Sequence, residues 1–343
     1  MFCRCQIIPD AILERLARDS RLSAEQRKNF ADTALIDAQI RQLRVQAGKL
    51  TAVALSLRQV AAVAAAAPAI TVADCHHGQS LPGTPVPNPE RSVDGTVKRA
   101  AVETKAVADF FRSVFGRNSI DNAGMTMSSS VHYGANYNNA FWNGSRMTYG
   151  DGDGNIFIDF TKSTDVIAHE LTHGVTQFSL QLAYTNQAGG LNESVSDVFG
   201  SMFRQWRAGH DIKQADWLIG NDIMGPGAVA RGFTCLRDMS DPGAKHCLAP
   251  QPSRFADFAP GMDPHLSSGI PNLAFCLAAK AIGGKSWEKA GQIWYKALTG
   301  FPPRPSMTMK SFAKRTRQLA TQMYPGDAAV AHAVDAGWTA VGL

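Results

Sequence analysis

The chain has no apolar run long enough to span a bilayer. Lys49–Ala67 is alanine-rich, but Arg58 and Gln59 interrupt it and it falls short of the roughly 20 residues a spanning helix needs. It also lies too far along the chain to be a cleavable signal. Met1–Pro9, with its arginine and two cysteines, does not read as a secretory leader either. The expectation is no membrane association, and either export without a classical signal peptide or a cytoplasmic place. Cysteine is scarce as well: six residues, scattered, do not make a disulfide framework. Cys235 and Cys247 flank a loop with proline and glycine, and can pair in an oxidising compartment or stay as thiols. Cys276 lies in the apolar run Asn272–Ala281 and reads as a core residue. The net charge of +5 and pI near 8.9 come without aromatic interleaving, so they describe a solvated surface and no nucleic-acid partner. There is no internal repeat.

What the chain does have is bulk. Its 343 residues, 45% hydrophobic, suffice for a large core in two lobes. Ile12–Ala67 is dominated by helix formers, with Leu13, Leu16, Leu35, Ile36, Ile40 and Leu43 at helical spacing. Pro68 and the turn-rich stretch Gly78–Pro89 mark a boundary. Thr96–Phe115 reads as an amphipathic helix stopped by Gly116. From Met125 the period shortens: Val131–Gly134, Met147–Tyr149 and Ile156–Phe160 read as strands. Ile270–Ala281, Ser286–Leu298, Met309–Tyr324 and a last segment ending at Val341 return to helix.

The densest chemistry is His169-Glu170-Leu171-Thr172-His173, followed by Asn192-Glu193-Ser194-Val195-Ser196-Asp197. On a helix over 165–178 the histidines stand at i and i+4, so both imidazoles reach one ion. Glu193 offers a third ligand. Two imidazoles and a carboxylate, with a position left for water, make a catalytic zinc set. Glu170, pointing beside the ion, is placed as a general base and then acid. Asp197, four residues after Glu193, can accept the second N–H of a ligating histidine, best His169. An oxyanion formed at a peptide carbonyl needs further donors. Tyr184 and His265 are candidates that spacing alone does not single out.

Four stretches carry a resemblance: Asn138–Gly144, Tyr149–Gly154, Asp165–His173 and Gly190–Asp197. Cys235–Pro242 and His265–Asn272 extend it. Together, from about residue 70 onward, the chain resembles the thermolysin family of neutral metalloendopeptidases. The resemblance implies an α+β, two-lobed fold with the active-site helix between a strand-rich and a helical lobe. It implies zinc on His169, His173 and Glu193, Glu170 as base, and Tyr184 and His265 at the oxyanion. Asn139 and Ala140 would hold substrate as an added strand, and Arg237 would bond a substrate carbonyl. Phe157, Phe160, Val166 and Leu236 would line the pocket for the residue after the scissile bond, all apolar and so suited to a bulky hydrophobic side chain. A zinc aminopeptidase and a catalytically silent peptide-binding relative are the alternatives.

Three departures from the family are visible. Asp165 and Asp216 match its acidic calcium cluster, but Arg204, Leu218 and Asn221 stand where further acids are expected. Calcium needs several oxygen ligands, so the expectation is weak or absent calcium, with Arg204 pairing Asp165 or Asp216. The spacer before His265 is shortened, which makes Asp263 its candidate partner. Cys5–Leu13 resembles the short pro-region of the protealysin-like subgroup. The implied order is a helical, inhibitory pro-region over 1–68, a strand-rich lobe over 69–185 ending in the zinc helix, and a helical lobe over 186–343. Two readings of the pro-region's inhibition stand side by side: Cys3 or Cys5 caps the zinc as a thiolate, or apolar Ile7, Ile8, Ile12 and Leu13 plug the cleft with the cysteines incidental. Cleavage between Gln46 and Val72 would release the enzyme, expected to be a monomer acting on peptides or proteins.

Overall fold

The computed structural model describes residues 6–55 and 67–343, with 43–55 as backbone only. Cys3 and Cys5 lie outside the described residues. The helices are α1 (Asp10–Ala17), α2 (Ala24–Leu55), α3 (Gly95–Phe115), α4 (Thr164–Gln177), α5 (Asn186–Ala208), α6 (Pro226–Val229), α7 (Pro264–Ser267), α8 (Gly269–Ile282), α9 (Lys289–Thr299), α10 (Met309–Met323) and α11 (Ala328–Ala340). The strands are β1 (Ile70–Asp74), β2 (Thr84–Pro85), β3 (Met127–Val131), β4 (Ala140–Trp142), β5 (Met147–Tyr149), β6 (Leu218–Ile219) and β7 (Arg237–Asp238). The first five form one sheet in the order β2-β1-β3-β5-β4, with β1–β3 and β3–β5 parallel and β4–β5 antiparallel. β6 and β7 pair antiparallel by themselves.

Helix α3 begins where the Asp94 carboxylate accepts from the backbone N–H groups of Thr96 and Val97, and stops at Gly116, whose φ of +67° favours glycine. The expected strand at Ile156–Phe160 is instead a loop with a single bridge, Phe157 to Met224. Asp153 causes this: its Oδ1 accepts from the backbone N–H groups of Asn155, Ile156 and Phe157, drawing them away from a ladder. The expected strand over Val131–Gly134 ends at Val131, because His132 has φ +52°. Because β1 pairs with β3 along Ile70–Asp74, the end of the expected processing window, up to Val72, falls inside the sheet.

The core runs through α4 and α5. From Asp165 to Gln177 every residue of α4 is buried, so the helix is held by packing on all faces. Gly200 on α5 faces its first turn, where an added Cβ would stand 2.7 Å from the Asp165 carbonyl oxygen and 3.5 Å from His169 Cβ. Gly190 does the same for α7: a Cβ there would meet Ser267 Oγ at 2.4 Å. Small residues on α5 thus bring both His169 and the segment bearing His265 close to Glu193. Replacing Gly200 with alanine presses on backbone, which cannot rotate away, and overpacking of this kind costs about 1–3 kcal/mol. Thermal unfolding of Gly200→Ala is expected several degrees below wild type, with zinc content reduced; an unchanged midpoint and full zinc would contradict this packing argument.

Candidate active site

Helix α4 presents His169 and His173 with their Nε2 atoms 3.0 Å apart. Glu193, from α5, places Oε2 3.4 Å from His169 Nε2 and Oε1 3.5 Å from His173 Nε2. Ligands at zinc–nitrogen and zinc–oxygen lengths of about 2.0–2.1 Å around a tetrahedral ion stand about 3.3 Å apart, so the three donors have the spacing of a zinc set. Hydrogen bonding points the same way. His169 Nδ1 lies 2.8 Å from Asp197 Oδ1. His173 Nδ1 lies 3.0 Å from Asn192 Oδ1, while Asn192 Nδ2 donates to the Leu182 carbonyl. Both Nδ1 atoms are therefore donors, and in neutral imidazoles both Nε2 lone pairs face each other and a buried carboxylate. Glu193 Oε2 has no hydrogen-bond partner. Acceptors gathered this closely fit a cation.

The electrostatics follow from the same geometry. Burial alone would lower the His169 pKa, but the carboxylates of Asp197 and Glu193 outweigh it and raise the group to about 9. His173 is lowered to about 3, chiefly by burial, with the nearby His169 adding to it. Burial works against the Asp197 carboxylate, yet Arg237 and His169 hold it down at about 2. Arg237, itself fully buried, gives Asp197 two bonds, Nε to Oδ2 at 2.9 Å and Nη2 to Oδ1 at 2.7 Å, and Asn272 Nδ2 adds a third at 2.8 Å.

Around the metal-ligand set, Glu170 Oε2 accepts the backbone N–H of Trp142 at 2.9 Å, which orients the carboxylate from the edge strand β4. Tyr184 Oη donates to Glu193 Oε1 at 2.5 Å and lies 3.1 Å from His265 Nε2. His265 Nδ1 lies 2.9 Å from Asp263 Oδ1, so the shortened spacer still supplies an orienting aspartate. Burial opposes the charge on His265, but Glu193 and Asp263 raise it to about 9. Phe157, Phe160, Val166 and Leu236 are fully buried nearby.

The N-terminal segment runs straight through this site. Gln6 forms an antiparallel bridge with Phe141 on the β4 edge. The Ile7 N–H donates to the Ala140 carbonyl (3.2 Å), and the Ile8 N–H to Asn139 Oδ1 (3.0 Å). Asn139 Nδ2 donates to the Ile8 carbonyl (3.1 Å), Arg237 Nη1 to that of Ile7 (3.2 Å) and His265 Nε2 to that of Gln6 (2.6 Å). Ile7, Ile8, Ile12 and Leu13 are buried. Further along, Asp37 on α2 is fully buried between Tyr137 Oη and Asn139 Nδ2, the latter at 2.8 Å. Asn192, Asn272 and Asp37 are partners that spacing did not single out. Only the adjacency of Asn192 to Glu193 was a signal.

Near Asp216, Arg204 Nη2 lies 3.1 Å from that carboxylate and 3.7 Å from Asp222, and Nη1 donates to Asn221. Asp165 turns elsewhere, accepting from Ser163 Oγ and the Gly220 N–H. Of the two partners expected for Arg204, Asp216 is the one it meets.

A two-histidine, one-glutamate set on adjoining helices, with a glutamate beside it and a strand edge for peptide, defines a metallopeptidase centre. Family models agree: one described as thermolysin metallopeptidase, catalytic domain, matches residues 59–177, and one described as its alpha-helical domain matches 180–343. The chain belongs to the thermolysin family of metalloendopeptidases. It is 43% identical over 284 residues to an extracellular metalloprotease of Pectobacterium carotovorum subsp. carotovorum, covering 80% of each chain. It is 38% identical over 287 residues to protease PrtS of Photorhabdus, covering 80% of this chain and 76% of that one. Its structure matches the precursor of protealysin, a metalloproteinase from Serratia proteamaculans, with TM-score 0.82 and 37% identity over 98% of this chain and 99% of that one.

Asp197 is the joint between metal and substrate groups. Asp197→Asn is expected to weaken zinc binding about 10–100-fold. It also leaves a buried guanidinium without its counter-charge, which costs about 3–5 kcal/mol. Zinc titration and unfolding of the variant check this, and wild-type values in both would refute it.

Proposed function

We propose that this zinc endopeptidase is held latent by its own N-terminal segment, docked in the register of a substrate. The observation that carries this is the set of backbone bonds from Gln6–Ile8 to Asn139, Ala140, Arg237 and His265. These are the groups on which the family resemblance rests for substrate binding. The Gln6–Ile7 peptide then stands where a scissile bond would stand.

Zinc, when held by His169, His173 and Glu193, lowers the pKa of a water to about 7 and polarises the carbonyl. Glu170, steadied by the Trp142 N–H, accepts the water's proton and passes it to the departing amide nitrogen. His265 Nε2, which donates to the Gln6 carbonyl in the precursor, donates to the oxyanion during turnover, joined by the Tyr184 hydroxyl once it turns from Glu193. Asn139 and Ala140 align the peptide as an added strand and Arg237 holds the next carbonyl. Ile7 follows the scissile position and is itself a buried, bulky apolar residue, as are Phe157, Phe160, Val166 and Leu236, which supports preference for a bulky hydrophobic residue there. All these groups come from one chain. The Arg204 pairs with Asp216 and Asp222 support loss of calcium binding at that cluster. The extracellular metalloprotease of Pectobacterium supports a place outside the cell.

Cleavage of a quenched hydrophobic peptide by the processed enzyme, with internal products and a bulky hydrophobic residue at each new N-terminus, is expected to vanish in zinc-loaded Glu170→Ala. After chelation, zinc alone should restore it. Activity in the variant, release of single N-terminal residues, or a requirement for added calcium would each overturn the corresponding part.

Latency should depend on pH through Asp37. Burial raises its pKa from 3.8 to about 7, against the bonds from Tyr137 and Asn139, with Asp10 adding and Arg41 opposing. The docked state therefore keeps a proton that the undocked state gives up. Docking is tightest below about pH 4 and weakens, up to about tenfold per pH unit, as the pH rises through about 7. Binding of a fluorescent peptide to zinc-loaded Glu170→Ala precursor should tighten from pH 5 to 8, and Asp37→Asn should flatten the trend; a profile that the substitution leaves unchanged would dismiss Asp37 as its source.

A further inference from the structure

Immediately before Leu236 and Arg237 lies a buried thiol that peptide hydrolysis does not use. We infer that Cys235 and Cys247 form a disulfide when the protein meets an oxidising environment, tying the strand that presents Leu236 and Arg237 to the segment behind it. The setting rests on the extracellular placement proposed above; the chemistry does not. The two cysteines are partners in a parallel bridge. Backbone bonds hold both sides of it, Thr234 N–H to the His246 carbonyl at 3.0 Å and Leu248 N–H to the Cys235 carbonyl at 2.9 Å. Paired strands lie about 4.8 Å apart, inside the Cα separation of about 4.4–6.8 Å that a disulfide spans. The sulfurs are already 3.7 Å apart, so closure needs side-chain rotation and little backbone movement.

The surroundings favour it. Cys235, Cys247 and Ala244 make a small apolar cluster of their own, apart from the main core. The neighbouring thiol and burial push the Cys235 pKa up, so a base is needed. His246 brings a ring nitrogen within 4.8 Å of both sulfurs, and its Nε2 lies 3.2 Å from Asp238. The co-reactant is a small disulfide or the disulfide of an oxidoreductase. One cysteine thiolate attacks it, forming a mixed disulfide and releasing one thiol. The other cysteine then attacks the protein-bound sulfur and releases a second thiol. Two cysteine thiols are oxidised, one external disulfide is reduced, and the two cysteine protons end on the released thiols.

The same three donors could instead bind a soft metal, and the test separates the two. Zinc-loaded full-length Glu170→Ala precursor is incubated with oxidised glutathione, denatured, alkylated and digested with trypsin without reduction. Cleavage after Arg231, Arg237, Lys245 and Arg254 puts Cys235 in the peptide 232–237 and Cys247 in 246–254, so only a disulfide joins them. Expected are a linked pair that separates on reduction and a midpoint of unfolding raised by about 3–5 °C. A folded C235A/C247A double variant should show neither change with oxidant. Recovery of both peptides fully alkylated after oxidation, or a second equivalent of zinc protecting the thiols in place of a bond, would overturn the inference. Neither result bears on peptide hydrolysis or export, which stand or fall by their own measurements.

Discussion

One buried carboxylate organises both halves of this active site. Asp197 reaches His169 on one side and Arg237 on the other, with Asn272 completing its acceptors. The bond to His169 sets which ring nitrogen carries the proton, and so points the other at the metal position. The bonds to Arg237 hold a guanidinium that is fully buried and that meets the peptide carbonyl of Ile7. A buried ion pair of this kind costs desolvation that its mutual attraction only partly offsets. What it secures here is position, since metal ligand and substrate ligand are referred to one atom pair.

The N-terminal segment docks on that arrangement. It pairs with the β4 edge through Gln6 and Ile7 and bonds Asn139, Arg237 and His265. Its grip extends beyond the cleft. Arg231 pairs with Asp19 at 3.1 Å, and Arg15 donates to the Leu248 carbonyl at 2.6 Å. Asp37 clamps Asn139 from behind, so the residue that aligns substrate is occupied twice. The hold of the N-terminal segment is thus spread over main-chain bonds, an ion pair and a buried carboxyl, each of ordinary strength.

Departures from the family pattern lie around this centre and leave it intact. Arg204 pairs directly with Asp216 and Asp222. Asp263, although displaced by the shortened spacer, still meets His265 Nδ1. In both cases a different covalent route ends in the same local balance of charge.

The local pattern of residues carries the metal chemistry without help. The i, i+4 histidines, Glu170 between them and Glu193 downstream can be read from spacing, because a single helix imposes it. The helices α3 and α10 are legible from the period of their buried residues, and α4 from its motif. The strand expected over 156–160 does not form because Asp153 competes for its backbone donors, a local bond that hydrophobic patterning does not register. Tyr184, His265 and Arg237 needed resemblance, because each reaches the site from a separate segment. Asn272 and Asp37 enter the site only in three dimensions, and Asn192 is hinted at only by its adjacency to Glu193. The sequence by itself determined which groups can bind the ion and move a proton. Tertiary structure alone decided that Asn192 orients His173, that Arg237 and Asn272 share the Asp197 carboxylate, and in what register the N-terminal segment lies in the cleft, because those contacts join residues tens to hundreds of positions apart and depend on helices brought close by Gly190 and Gly200.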